Sequence, residues 1–138
     1  MGAFEWALLT ALVWGMVPAI EKFALIKIDP FIGLFFRCFG VIIGFILLSF
    51  FLVTPEKIKG TDPKTIALLV FGGFIGSFVG QIAFYHGLKV GEVSKVAPIA
   101  GSFPLIAAIL GIVFLGESIT IAKSVGIFLI ISGIFFLR

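Results

Sequence analysis

Five apolar stretches, at residues 4–23, 31–53, 65–87, 93–115 and 119–137, take up nearly all of a 138-residue chain. Each runs for about 19 to 23 residues. A bilayer's hydrocarbon core is roughly 30 Å thick, and a helix rising about 1.5 Å per residue needs about 20 apolar residues to cross it. The pattern predicts an all-α membrane protein, a five-transmembrane-helix bundle with little mass outside the bilayer. Five is odd, which puts the two ends on opposite sides.

Composition excludes the soluble alternatives. Hydrophobic residues make up 61% of the chain and charged residues 12%, about half the charged share of soluble domains. A soluble fold of this length has no way to hide that much apolar surface, because small chains bury the smallest fraction of theirs. The 17 glycines exceed ordinary usage and suit close packing between membrane helices. Ten basic and seven acidic residues give a net charge of +3, but they are scattered through short loops. With no basic run and no interleaved aromatic stripe, nucleic acid is not an expected partner. Cys38 is the one cysteine and His86 the one histidine. An intrachain disulfide and a thiol–metal cluster are thereby excluded, metal binding is weakly supported, and Cys38 reads as an inert packed thiol. The first stretch lacks a basic leader, its only early charge being Glu5. It is also long for a signal peptide, so it reads as a spanning helix.

Charge, Pro and Gly mark the boundaries. Glu21 and Lys22 close the first stretch, and Asp29–Pro30 opens the second. Residues 54–64 form the only sizeable polar loop, ending in Asp62–Pro63, an N-cap followed by a first helical residue. Lys89, Gly91, Glu92 and Lys95 mark the third junction, and Gly116, Glu117 and Ser118 a tight fourth one. Small residues recur at helix-packing spacing: Gly72, Gly76 and Gly80, then Gly40 with Gly44, and Ala107 with Gly111. Such stripes serve packing within one subunit or an interface between two. In the fourth stretch Pro98 and Pro104 each remove a backbone donor and clash with the carbonyl four residues earlier, near Ser94 and Ala100. The outcome is either a packing kink or a flexing helix that lines a pathway.

Polar groups at membrane depth are few and expensive, about 2.5–3.5 kcal/mol for Arg or Lys at a helix centre. Arg37 either snorkels to the headgroups or turns inward, to pair with Glu21 or to recognise an anionic group. Lys22 is an interfacial anchor or part of a cavity mouth. Gln81 and Tyr85 are four apart, so they share a helix face in line with Ser77. That face is either structural or solute-binding, and His86 is read as interfacial. Trp14, in line with Thr10, lies too deep for an interfacial belt and either packs or lines a cavity. Glu5 lies so near the chain start that water should reach it. Catalysis finds no support: Ser102, within Gly101-Ser102-Phe103-Pro104, is no nucleophile elbow, and no phosphate-binding loop appears.

In order, the chain shows Leu12-Val13-Trp14-Gly15 with Pro18 and Lys22, then Pro30 and Arg37, then Ala83-Phe84-Tyr85-His86-Gly87-Leu88. Pro98, Pro104, Leu115-Gly116-Glu117, Gly126 and Gly133 follow. This ordered set resembles one domain of the EamA-type transporters of the drug/metabolite transporter superfamily, over essentially the whole chain. The resemblance implies a carrier for small organic solutes, working by alternating access without a cofactor. Usual members hold two such domains as an inverted pair of ten helices, whereas here there is one. Completion by a second chain is therefore expected, inserted in the opposite orientation.

Loop charges permit that arrangement. One side carries Lys57, Lys59, Lys64 and Lys123; the other carries Lys22, Lys27, Lys89, Lys95 and Arg138, with Arg37 if it snorkels. So even a split hardly selects an orientation under the positive-inside rule. The expectation is a single domain over residues 1–138, half of a cytoplasmic-membrane solute transporter. It would act as a homodimer, antiparallel or not, or with a paralogous five-helix chain. Trp14, Gln81, Tyr85 and Ser102 would line the cavity, Lys22 and Arg37 its rim, Pro98 and Pro104 would shape the moving helix, and Gly72, Gly76 and Gly80 would pack. The competing readings are a proton-coupled exporter like the small multidrug resistance proteins, and a membrane scaffold subunit.

Overall fold

The computed structural model describes residues 2–137, so Arg138, counted above among the loop charges, lies outside them. All regular structure among the described residues is helical. In chain order it comprises α1 (Ala3–Leu25), α2 (Pro30–Leu52), α3 (Pro55–Lys59), α4 (Pro63–Phe74), a π-helical stretch (Ile75–Gly80), α5 (Gln81–Val90), α6 (Val93–Ala100), α7 (Phe103–Leu115) and α8 (Ile121–Leu137). These make five apolar passes. Four are long and apolar enough to cross a bilayer: Ala3–Leu25, Pro30–Leu52, Pro63–Val90 and Val93–Leu115. The fifth, Ile121–Leu137, has 17 residues, at the short end of the spanning range.

Local chemistry sets the ends. Asp29 and Asp62 have extended backbones and cap α2 and α4, accepting from Phe31 N at 2.8 Å and Thr65 N at 3.0 Å. Each is followed by a proline, whose missing donor costs nothing in a first turn. The Thr65 hydroxyl also donates to Asp62. At the end of α7, Gly116 adopts φ +66°, and the Glu117 amide returns to Gly111 O at 3.1 Å. This left-handed turn closes the helix in a way that a side chain would strain.

Three details differ from the sequence expectation. The polar loop of residues 54–64 holds the five-residue helix α3, started by Pro55 at its first turn. Pro104 does not rupture a helix. The chain turns at Gly101 and Ser102, so Pro104 falls in the first turn of α7, where it removes no needed bond. Of these two prolines, Pro98 is the one that lies inside a helix, α6. Cys38 is exposed on α2 rather than packed.

Two compact units divide the chain. One is Ile20–Lys89; the other joins the helix before Ile20 to the chain from Val90 onward. The first holds a small core of Leu25, Leu34, Tyr85 and Leu88. Gly33 of α2 makes that core possible, since a Cβ there would lie 2.8 Å from Leu25 Cδ2 and 3.3 Å from the Tyr85 ring. In the second unit Trp14 meets Phe103 with ring centroids 6.2 Å apart, and Gly111 is buried beneath the Glu117 carboxylate. Elsewhere the large apolar side chains face outward, Phe51 being 85% exposed. Such surface suits lipid and protein neighbours, not water.

Candidate functional site

Within the Ile20–Lys89 unit, three polar side chains from three helices meet at one oxygen. Glu21 lies one turn before the end of α1. The Tyr85 hydroxyl of α5 donates to Glu21 Oε1 at 2.6 Å, and Arg37 Nε of α2 donates to the same atom at 3.1 Å. The side chains of Glu21 and Arg37 are 13% and 33% exposed. Glu21 Oε2 is buried and meets no donor among the described residues. A charge kept from water must be neutralised nearby, and the Arg37 guanidinium does this for the carboxylate.

Two lysines tie the ends of the same helices together. Lys22 Nζ of α1 donates to Leu88 O, and reaches Lys89 O at 3.3 Å, at the end of α5. Lys89 Nζ of α5 returns to Leu25 O at 3.1 Å, at the end of α1, and to Ile28 O at 2.5 Å, in the turn that follows it. Each ammonium therefore satisfies carbonyls that the other helix leaves open, at the negative end of its dipole. The exchange places Glu21 and Tyr85 side by side.

A cavity of about 270 Å³ opens beside the cluster, lined by Ile20, Ala24, Leu25, Phe36, Glu21, Arg37 and Tyr85 among others. Of the residues singled out in the sequence, Arg37 and Tyr85 line it; Lys22 is engaged on the carbonyls next to it. Gln81 stands one turn before Tyr85, half-buried, at the end of the π-helical stretch that also holds Ser77, Gly76 and Gly80. Single π turns of this kind interrupt α-helices often at functional sites. Trp14 and Ser102 belong to the other compact unit. There the Ser102 hydroxyl donates to Ile99 O at 2.6 Å, and Trp14 is 60% exposed. A Cβ added at Gly40, Gly44, Gly72 or Gly76 would meet nothing within 4 Å, so these small-residue faces lie open.

The second unit has its own ion pair, Lys123 Nζ to Glu117 Oε2 at 2.9 Å, at the α7–α8 turn. Both partners are well exposed there, so it contributes little. Glu21 is the residue that sequence reasoning undervalued, seeing it only as one partner for Arg37. Its signal was a carboxylate still inside an apolar run, where an acid persists only with partners.

A model of the EamA-like transporter family matches residues 2–138. An uncharacterized protein of Methanocaldococcus jannaschii is 33% identical over 96 residues, 70% of this chain and 69% of that protein. An uncharacterized transporter of Clostridium kluyveri is 30% identical over 129 residues, and one of a Sinorhizobium species is 26% identical over 133 residues. This chain spans 40% of the length of the first of these transporters and 90% of the second. No solved structure matches it.

Proposed function

We propose, from the premise that this chain belongs to the EamA-like transporter family, that it forms one five-helix half of a carrier for small organic solutes. The half is completed by a second copy inserted in the opposite orientation, and the two alternate in opening a shared cavity to either face of the cytoplasmic membrane. A paralogous five-helix chain would serve the same geometry. The carrier moves its solute without catalysis.

The observation that carries this reading is the Glu21–Arg37–Tyr85 cluster beside a cavity of about 270 Å³, within spans that are otherwise apolar. A subunit that only packs against neighbours gains nothing from holding an ion pair next to a void. The size relations lend support: a relative called a transporter is close to the length of this chain, and another is long enough to hold two such units. Gln81 and Tyr85 line the shared cavity, and Lys22 and Arg37 stand at its rim. The break at Gly101 and Ser102, between Pro98 and Pro104, gives the fourth span a point of flexure.

A thermal-shift screen of small organic solutes against the purified protein tests the reading. A solute that binds raises the unfolding temperature, and the same solute should then be taken up by proteoliposomes. Gln81→Ala should reduce both effects at least tenfold. Stoichiometric co-purification with an unrelated membrane protein, with no solute effect, would instead make the chain a scaffold.

A further inference from the structure

Glu21 carries both of its donors on one oxygen. Tyr85 and Arg37 both reach Oε1, at 2.6 and 3.1 Å, and Oε2 is buried with no donor among the described residues. A proton adding to this carboxylate therefore has an obvious place. The new O–H bond forms at Oε2, while Oε1 becomes the carbonyl oxygen and continues to accept from Tyr85 and Arg37. No existing hydrogen bond has to break.

Arg37 is asymmetric in the matching sense. It uses Nε for Glu21, and its two terminal amino groups make no hydrogen bond among the described residues. With Glu21 ionised the pair is neutral. With a proton on Oε2 the pair carries a full positive charge against apolar walls such as Ile20, Ala24 and Phe36. An uncompensated charge in such a setting is costly, and an anion held by two parallel N–H bonds on the guanidinium removes that cost.

We infer that this pocket binds a small organic monoanion, a carboxylate with an apolar tail, together with one proton. The carboxylate sits on the terminal amino groups of Arg37, and the proton, drawn from the aqueous phase on that side, sits on Glu21 Oε2. When the anion leaves, the proton leaves with it. By linkage, each ligand tightens the binding of the other by the same factor. The cavity, at about 270 Å³, is smaller than the roughly 300–1,000 Å³ of sites for drug-sized ligands, which favours a small solute. Of the other charged or titratable groups at this end, Lys22 and Lys89 are engaged on carbonyls, Asp29 caps α2, and Lys27 and His86 are exposed. This inference rests on the reading of the chain as a solute carrier, and adds the class of solute and its proton.

Benzoate, titrated calorimetrically into the full chain in discs of zwitterionic lipid, tests the inference in two buffers of different ionisation heat. The expected result is close to one proton taken up per benzoate. Glu21→Gln should bind benzoate with no proton uptake, and Arg37→Gln should not bind it. His86→Ala should leave the count near one, which keeps the question answerable if Glu21→Gln fails to fold. Binding without proton uptake, uptake that survives in Glu21→Gln, uptake lost in His86→Ala, or no binding at all would overturn the inference. A response to added phosphatidylglycerol but none to benzoate would overturn it too, by making the anion a lipid headgroup. Solute uptake and pairing of two copies are read by other experiments, so failure here leaves the carrier reading standing.

Discussion

A carboxylate within an apolar helix is costly unless a partner offsets its charge, and Glu21 has two partners on one atom. Arg37 and Tyr85 have different standing there. The tyrosine is buried in the small core, whereas the arginine keeps a third of its side chain exposed. Replacing Arg37 by Gln strands the Glu21 charge. The loss should be about 1–3 kcal/mol, below the roughly 3–5 of a fully buried pair because solvent screens part of Arg37. The double variant Glu21→Gln/Arg37→Gln should recover part of that loss, and chemical unfolding of the four proteins in micelles measures the coupling. Additive losses would mean that the two side chains act independently. The sequence showed these residues one at a time. Arg37 was seen as snorkelling, pairing with Glu21 or recognising an anionic group, and a sequence separation of 16 gave no means of choosing. Tyr85 is 64 residues from Glu21, so that contact was not legible at all.

Elements were more legible than contacts. Runs of about 20 apolar residues state where a helix crosses lipid, because the bilayer fixes the length. Asp29–Pro30 and Asp62–Pro63 state where two of the helices start, because both cap and proline act locally. Features decided by competition between neighbours were harder to read. Pro104 was expected to disrupt the helix near Ala100, but Gly101 and Ser102 end α6 first, and the proline then starts α7. The π-helical stretch Ile75–Gly80 leaves no signal in an apolar, glycine-containing run. Asp62 offers a test outside the membrane. Thr65 donates to its carboxylate from both side chain and amide, which holds that carboxyl below the ordinary aspartate value of 3.8. A depressed folded value means that the cap contributes stability above the unfolded value and loses it as pH falls through the folded one. The Thr65 amide resonance should therefore titrate with a midpoint below 3.8, and should not titrate in Asp62→Asn. A midpoint at or above that value would mean the cap does not form in lipid.

At the scale of the whole molecule, extensive apolar surface is left for lipid or a partner to cover. The four long spans present nearly all of their apolar surface outward, and the faces around Gly40, Gly44, Gly72 and Gly76 would accept a methyl group without contact. Open small-residue faces allow another helix to approach closely, which fits a half that pairs with a second half. Counted along the sequence, the basic residues of the loops divide almost evenly between alternate loops, a pattern that selects neither orientation. Orientation is therefore the measurement that bears most directly on the pairing. In a Cys38→Ala background, a single cysteine is placed at Lys27, between α1 and α2, or at Gly60, between α2 and α4. Each is then labelled from outside intact cells with an impermeant reagent. Antiparallel pairing predicts labelling of both positions, each in a substantial fraction of molecules. Labelling of one position alone would fix a single orientation and contradict pairing between inverted copies of this chain.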